Sequence, residues 1–234
     1  MSQPRIPTRN AIKIVSFDLD GTLVSPGFTD AVWLRGIPEA YARKEGICFE
    51  QALEFITREY EKIGESRIEW YTIEYWLRAF DLELSYTWLF EKYAGEIRIY
   101  EEVESVLELL SEEGYELIVS SNAAAEFVEF QILPLRKFFS HVFSATSDFR
   151  EVKKSNHFYA RICEILNVEP HAVVHTGDHW VFDFLNPRKI GITAFYLDRS
   201  RGTKEARKKG GITVKKEDEF IISDLNDILN VFVR

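Results

Sequence analysis

The sequence predicts an α/β fold: a doubly wound parallel sheet with an α-helical cap inserted after its first strand. Two observations carry this. Short apolar runs alternate with segments of helical periodicity along most of the chain, while one interval, 29–93, has helical periodicity and no strand. That interval is too long for a simple crossover between parallel strands. The 234 residues suffice for one large domain or for a core carrying an insertion. The expected division is a core of residues 1–26 and 95–234 and a cap of residues 27–94.

The elements follow in order. A first strand is expected over 13–18, within a largely apolar run. After the helical interval, 101–113 reads as a crossover helix, stopped by Gly114, which takes the left-handed conformation that often ends helices. Strands at 116–121, 142–145, 172–176 and 193–197 then alternate with helices at 125–133, 158–166 and 183–189. A polar stretch, 199–219, precedes a last short strand and helix within 220–233.

The net charge of -9 opposes a phosphate backbone, so general nucleic-acid binding is not expected. No apolar run approaches the roughly 20 residues that cross a bilayer, so no membrane association and a cytoplasmic location are expected. Cys48 and Cys163 fall in helical patterns and are expected to be small buried residues, forming neither a disulfide nor a metal site. The basic residues Arg199, Arg201, Lys204, Arg207, Lys208 and Lys209 read as a solvated face. The sequence carries no signal of oligomeric state.

Chemistry is suggested at four places. Asp18, Leu19, Asp20, Gly21 and Thr22 leave the first strand, where ligands of open parallel sheets bind. Residues two apart on a strand share a face, so Asp18 and Asp20 are expected to converge on one ion or substrate. Ser121 and Asn122 end a second apolar strand; a hydroxyl and nearby amides hold an anion without adding charge, although such residues also make turns and caps. Lys153 and Lys154 enter from a loop, as surface charges or as neutralisers of a bound phosphate. Gly177 and Asp178 close a third apolar run, and Asp183 returns five residues later, on the site or as a helix cap.

Two further patterns read as packing. His171, His175 and His179 recur every fourth residue, but on a strand that spacing spans about 13 Å, too far for one shared ion. The cap aromatics Trp33, Trp70, Tyr71, Tyr75, Trp76 and Trp88 are expected to build a core, and Arg35, Arg43, Arg67 and Arg78 to be mostly solvated.

In order and spacing, DLDGT at 18–22, SSN at 120–122, the lysine near 153 and GDHWVFD at 177–183 resemble the four motifs of the haloacid dehalogenase-like hydrolase superfamily. The resemblance spans nearly the whole chain. Asn186 and Pro187 stand where relatives often have Gly and Ala, and Lys154 where many have proline. The resemblance implies a doubly wound core with an inserted cap, and phosphatase activity on small phosphorylated metabolites such as sugar phosphates. By the same resemblance Asp18 is the nucleophile and Asp20 the general acid and base. Ser121, Asn122 and Lys153 hold the phosphoryl group, with Lys154 the alternative lysine. A magnesium ion is implied at Asp18, the backbone carbonyl of Asp20 and Asp178, with Asp183 supporting or joining that shell.

Physical requirements agree. A carboxylate approaching an anionic phosphate at 4 Å meets a repulsion of about 4 kcal/mol at an effective dielectric near 20, so a cation is needed. Magnesium prefers oxygen ligands. The second Asp favours phosphoryl transfer over carbon–halogen hydrolysis, since dehalogenases of the superfamily lack it. A sugar-phosphate mutase of the same superfamily and a non-catalytic phosphate-accepting regulatory domain are the alternatives, and the cap argues against the latter.

Overall fold

The structure is a computed structural model, and it describes residues 11–202 and 218–232. Among the described residues six parallel strands form one sheet in the order β3-β2-β1-β4-β5-β6. They are β1 (Ile14–Phe17), β2 (Glu116–Ser121), β3 (Phe139–Ser144), β4 (Val173–Gly177), β5 (Thr193–Leu197) and β6 (Ile221–Ile222). The chain builds outward from β1 through β2 to β3, then returns to lay β4 on the other side of β1. The order therefore reverses at β1, and the crevice beyond the carboxyl ends of β2, β1 and β4 is where such sheets bind ligands.

Strand alternation sorts the core into two layers. Val15 and Phe17 join Leu117 and Val119 under the helices α6 (Val103–Glu112) and α11 (Asn226–Phe232), through Val106, Leu110, Ile228 and Phe232. Ile14, Ile118 and Val173 point the other way, onto Phe158, Tyr159 and Ile162 of α9 (Asn156–Ile165). Ser155 caps α9, accepting a bond from the Phe158 amide at 3.1 Å.

Between β1 and α6 the chain is helical: α1 (Gly27–Ala31), a π-helical turn Val32–Gly36, α2 (Ile37–Glu45), α3 (Phe49–Ile63), α4 (Ile73–Ala79) and α5 (Tyr86–Tyr93). Phe28, Ile56, Tyr60, Trp76, Phe80 and Phe90 form a separate apolar cluster there, and Ala124 and Phe127 join it from the core side. Phe127 lies on α7 (Ala125–Gln131), whose neighbouring Val128 faces the sheet. One short helix thus packs on both layers.

Several boundaries differ from the sequence expectation. β3 starts at Phe139, three residues before the expected 142, because its first residues pair with β2 around a register shift at Leu117/Ile118. The helix expected over 125–133 ends at Gln131, where Pro134 enters a 3-10 turn, Leu133–Phe138. The helix expected over 183–189 begins earlier, as a π-helical turn Trp180–Leu185 leading into α10 (Asn186–Arg188). Cys163 is buried as expected; Cys48 is exposed, because it precedes α3 rather than lying within it. Arg199 is not a solvated charge: it donates to the carbonyls of Gly21 (3.2 Å) and Thr22 (2.7 Å) and pairs with Glu102. Lys204, Arg207, Lys208 and Lys209 lie outside the described residues. Among the described residues no helix is long and apolar enough to cross a membrane.

Candidate active site

Register brings the polar strand ends together. Phe17 pairs with Val119 on one side and with Thr176 on the other, so Asp18 stands level with Ser120 and Gly177. The Asp18 amide donates to the Thr176 carbonyl at 2.9 Å, carrying the strand's order one residue past its end. The chain then turns tightly, with the Leu23 and Val24 amides on the Leu19 carbonyl. Gly21 makes the turn possible: its φ is +83°, and a side chain there would overlap the Asp178 carboxylate. Gly177 answers the same need on β4, where a Cβ would strike Asp183.

Oxygens of Asp18, Asp178 and Asp183 lie within 4.8 Å of one another. Asp18 and Asp183 are buried and Asp178 is at the solvent-facing mouth. Against these three carboxylates stands one buried cation, Lys154, 1% exposed. Its Nζ donates to Asp18 Oδ1 (2.5 Å) and to the Ser120 carbonyl (3.0 Å), and it pairs with Asp183 Oδ1. Its backbone is fixed from two directions. The Lys154 amide donates to Asn122 Oδ1 at 2.7 Å, and Asn186 Nδ2 donates to the Lys154 carbonyl at 2.8 Å.

The lysine favoured from sequence, Lys153, is therefore not the one that reaches Asp18. Its ammonium pairs with Glu65 of the cap at 2.8 Å and lies over the Phe182 ring. The loop turns adjacent side chains in different directions, and Lys154 takes the inward one. Asn186, a departure from the usual motif, supplies one of the bonds that hold it there.

Charge balance sets the protonation of the cluster. Burial works against both charges of the Lys154–Asp183 pair, but Lys154 and a hydrogen bond from His175 hold the Asp183 carboxyl well below its ordinary value. Asp18 and Asp183 in turn keep the ammonium charged, above the usual lysine value. Burial pushes the Asp18 carboxyl well up, Lys154 offsets part of this, and Asp183 and Asp178 add to the rise. Burial and then Asp183 push Asp178 up to about 6. Three carboxylates with one ammonium leave a deficit of positive charge, and an all-oxygen donor set suits a hard divalent cation.

Behind this cluster is a buried polar layer built on His175, one of the histidines expected to pack. Fully buried His175 approaches Asp183 Oδ1 through Nε2 (3.0 Å) and Ser16 Oγ through Nδ1 (2.8 Å). Burial lowers its pKa, so the ring is neutral, with Nε2–H donating to Asp183 and Nδ1 accepting from Ser16. The Tyr159 hydroxyl donates to the Phe182 carbonyl at 2.9 Å beside them. A serine and a histidine paired in register on otherwise apolar strands were the available signal, since buried polar groups need partners. His179 instead accepts from the Val181 and Phe182 amides, and no described metal cluster contains histidine.

Asp20 lies within electrostatic reach of Lys154 and Asp178 and is held from the cap side. The strand ends at Phe17, and at the start of the turn Asp20 Oδ1 accepts from Thr29 Oγ1 (2.9 Å) on α1 and Gln131 Nε2 (3.3 Å) on α7. Burial raises its pKa, with these two bonds partly offsetting the rise. Neither Thr29 nor Gln131 was singled out by sequence, since each stands on a helix that carries other polar residues, Asp30 beside Thr29 and Glu126 and Glu129 before Gln131. Ser121 is buried at the end of β2, and its Oγ accepts from the Ala123 amide at 3.0 Å.

The cap aromatics divide. Trp76 is buried in the cap cluster as expected, but Trp33, Trp70 and Tyr71 line a cavity of about 380 Å³ together with Thr29, Ala123 and Phe127. Trp88 is exposed under Lys92. Arg35 and Arg67 pair with Glu96 and Glu69 at the surface.

Comparison with known proteins gives the same direction at three levels. A family model described as haloacid dehalogenase-like hydrolase matches residues 12–185. The chain is 27% identical over 73 residues to the GMP/IMP nucleotidase YrfG of Escherichia coli, covering 31% of this chain and 32% of that protein. It is 38% identical over 59 residues to haloacid dehalogenase-like hydrolase domain-containing protein 3 of Danio rerio, covering 25% of this chain and 24% of that one. These matches thus span about a third or less of the curated relatives' length. Among solved structures, a HAD phosphatase from Thermococcus onnurineus superposes with a TM-score of 0.77 at 24% identity, over 95% of this chain and 98% of that one. A 2-haloacid dehalogenase from Pseudomonas syringae gives 0.66 at 21% identity, over 95% and 99%. At these identities the likeness is one of fold.

Proposed function

The chain belongs to the haloacid dehalogenase-like hydrolase family, and from that premise we propose that it is a magnesium-dependent phosphatase acting on small phosphate monoesters through an aspartyl-phosphate on Asp18. The observation that carries this reading is the contact of buried Lys154 with Asp18, inside a cluster closed by Asp178 and Asp183. A carboxylate fixed by one ammonium, at the mouth of a parallel sheet and short of positive charge, is suited to receive a dianionic phosphate together with a metal.

Asp18, the Asp20 carbonyl and Asp178 would hold the ion, with Asp183 bracing Lys154 and the His179 amide next to Asp178. When bound, magnesium supplies the charge that keeps Asp18 ionised and offsets the negative charge of the phosphoryl oxygens. The steps belong to the protein's own residues. An Asp18 oxygen attacks phosphorus as the bond to the leaving oxygen breaks, and that oxygen takes a proton from Asp20. Asp20, now ionised, removes a proton from water; the water oxygen attacks phosphorus, the bond to Asp18 breaks, and phosphate leaves. The raised pKa of Asp20 supports the first of its two roles, since an acid must hold its proton near neutral pH. Lys154, Ser121 and the adjacent amides balance charge on the transferring group.

The test is phosphate release over many turnovers from small monoesters, with and without magnesium, for the native protein and Asp18→Asn. Release that needs both the metal and Asp18 is expected. Normal turnover by folded Asp18→Asn would defeat the assignment.

A further inference from the structure

The cavity of about 380 Å³ between cap and core is larger than a phosphate needs, and its lining is mostly apolar and aromatic. Its walls are the rings of Trp33, Tyr60, Trp70, Tyr71 and Phe127. Two lining residues tie it to the reacting centre. Thr29 donates to Asp20, the proposed proton donor to the leaving oxygen, and the Ala123 amide donates to Ser121. The cavity wall is thus one hydrogen bond from Asp20 and one from Ser121, which makes it the neighbouring space for a leaving group.

Charge decides what that group is. Among the described lining residues Asp30 carries the sole formal charge, and it is negative. Arg35 and Arg67 are paired with Glu96 and Glu69, and none of the cap arginines Arg35, Arg43, Arg67 and Arg78 lines the cavity. A second phosphate or carboxylate would leave water for an apolar wall beside a carboxylate, with no cation to receive it. A flat ring loses little on entry and gains stacking area on the indoles, one of which, Trp33, is itself already stacked on Phe127 at 5.4 Å. The size fits small-molecule sites, which run from about 300 to 1,000 Å³.

We propose, on the basis of the phosphatase reading, that the substrate is a phosphate monoester whose leaving group carries an uncharged aromatic ring, bound in this cavity, and that esters bearing a second anion are rejected. Asp30, at the rim, accepts from ring N–H or O–H donors. Nucleoside monophosphates and simple aryl phosphates share this chemistry.

The experiment compares kcat/KM for guanosine and cytidine 5′-monophosphates, phenyl phosphate, ribose 5-phosphate and phosphoglycolate with the native protein, Trp70→Ala and Asp30→Arg. Ring-bearing esters should exceed ribose 5-phosphate by at least about tenfold, a ratio that Trp70→Ala collapses. Trp70 is 36% exposed, so its truncation removes little of the cap core. Asp30→Arg should move preference toward phosphoglycolate. A preference for the nucleotides over phenyl phosphate identifies a nucleoside, and equal rates identify the ring alone. Ribose 5-phosphate or phosphoglycolate turned over as well as the ring-bearing esters would overturn the proposal and leave the phosphatase reading intact. If no ester is hydrolysed, quenching of tryptophan fluorescence by guanosine monophosphate against ribose 5-phosphate still decides. Saturable quenching by the first alone supports the ring site; the same response to both removes it.

Discussion

Lys154 and Lys153 are chemically identical neighbours with opposite surroundings, and the difference settles the electrostatics of the site. Lys154 is enclosed and touches two carboxylates, where an ammonium acts at low effective dielectric. Lys153 shares a solvated pair with Glu65, of the kind usually worth about 0–1 kcal/mol. Lys154→Met is therefore expected to lower kcat by about a hundredfold or more. Lys153→Met should change it by less than about fivefold, both read by phosphate release from folded protein. Equal losses would contradict the assignment. The four aspartates were legible because each ends, or soon follows, an apolar strand, and a strand end in a parallel sheet is a defined place. The choice of lysine was not legible. A loop has no period, and the bonds that turn Lys154 inward come from Asn122 and Asn186, 32 residues away on either side. His175 was hidden for a related reason: a polar residue on an apolar strand looks like packing until its partners, Ser16 and Asp183, are in place.

At the scale of elements, β1, β4 and the π-helical turn after β4 each deliver one carboxylate to one point. Their proximity has a consequence for pH. Asp178 titrates near 6, above the ordinary carboxylate value of about 4 expected unfolded. In that window the folded chain binds the extra proton, so this group's contribution makes the metal-free protein less stable as pH rises from about 4 to about 6. Magnesium competes with that proton and should bind more weakly as pH falls through the same window. Thermal unfolding should show a larger stabilisation by magnesium at about pH 7 than at about pH 5, and Asp178→Asn should remove most of the difference. A magnesium effect independent of pH would contradict this picture. The strands were legible to within a few residues because apolar runs between turn residues are short and distinct. The π-helical turn Trp180–Leu185 was not, since its six residues carry no period that separates it from an ordinary helix start. The partners of Asp20 were not legible, because β1 stops at Phe17 and the bonds that hold its carboxylate come from Thr29 and Gln131 on distant helices.

For the whole molecule, α7 joins the two apolar clusters: Val128 packs toward the sheet, Phe127 toward the cap aromatics, and Gln131 donates to Asp20. Cap, proposed acid and sheet therefore meet on one short helix. The parallel sheet and the helical insertion were legible from alternation alone. The division of the cap aromatics into core and cavity wall was not, because both uses demand the same residues at the same helical spacing. What unites the scales is the claim that Asp18 forms a covalent bond to phosphorus. Borohydride reduction during turnover tests it most directly, because an acyl phosphate is reduced to an alcohol while a free carboxylate is untouched. Mass spectrometry of the peptide containing Asp18 should show homoserine at that position, dependent on substrate and absent from Asp18→Asn. An unreduced Asp18 in protein caught releasing phosphate at full rate would contradict the account.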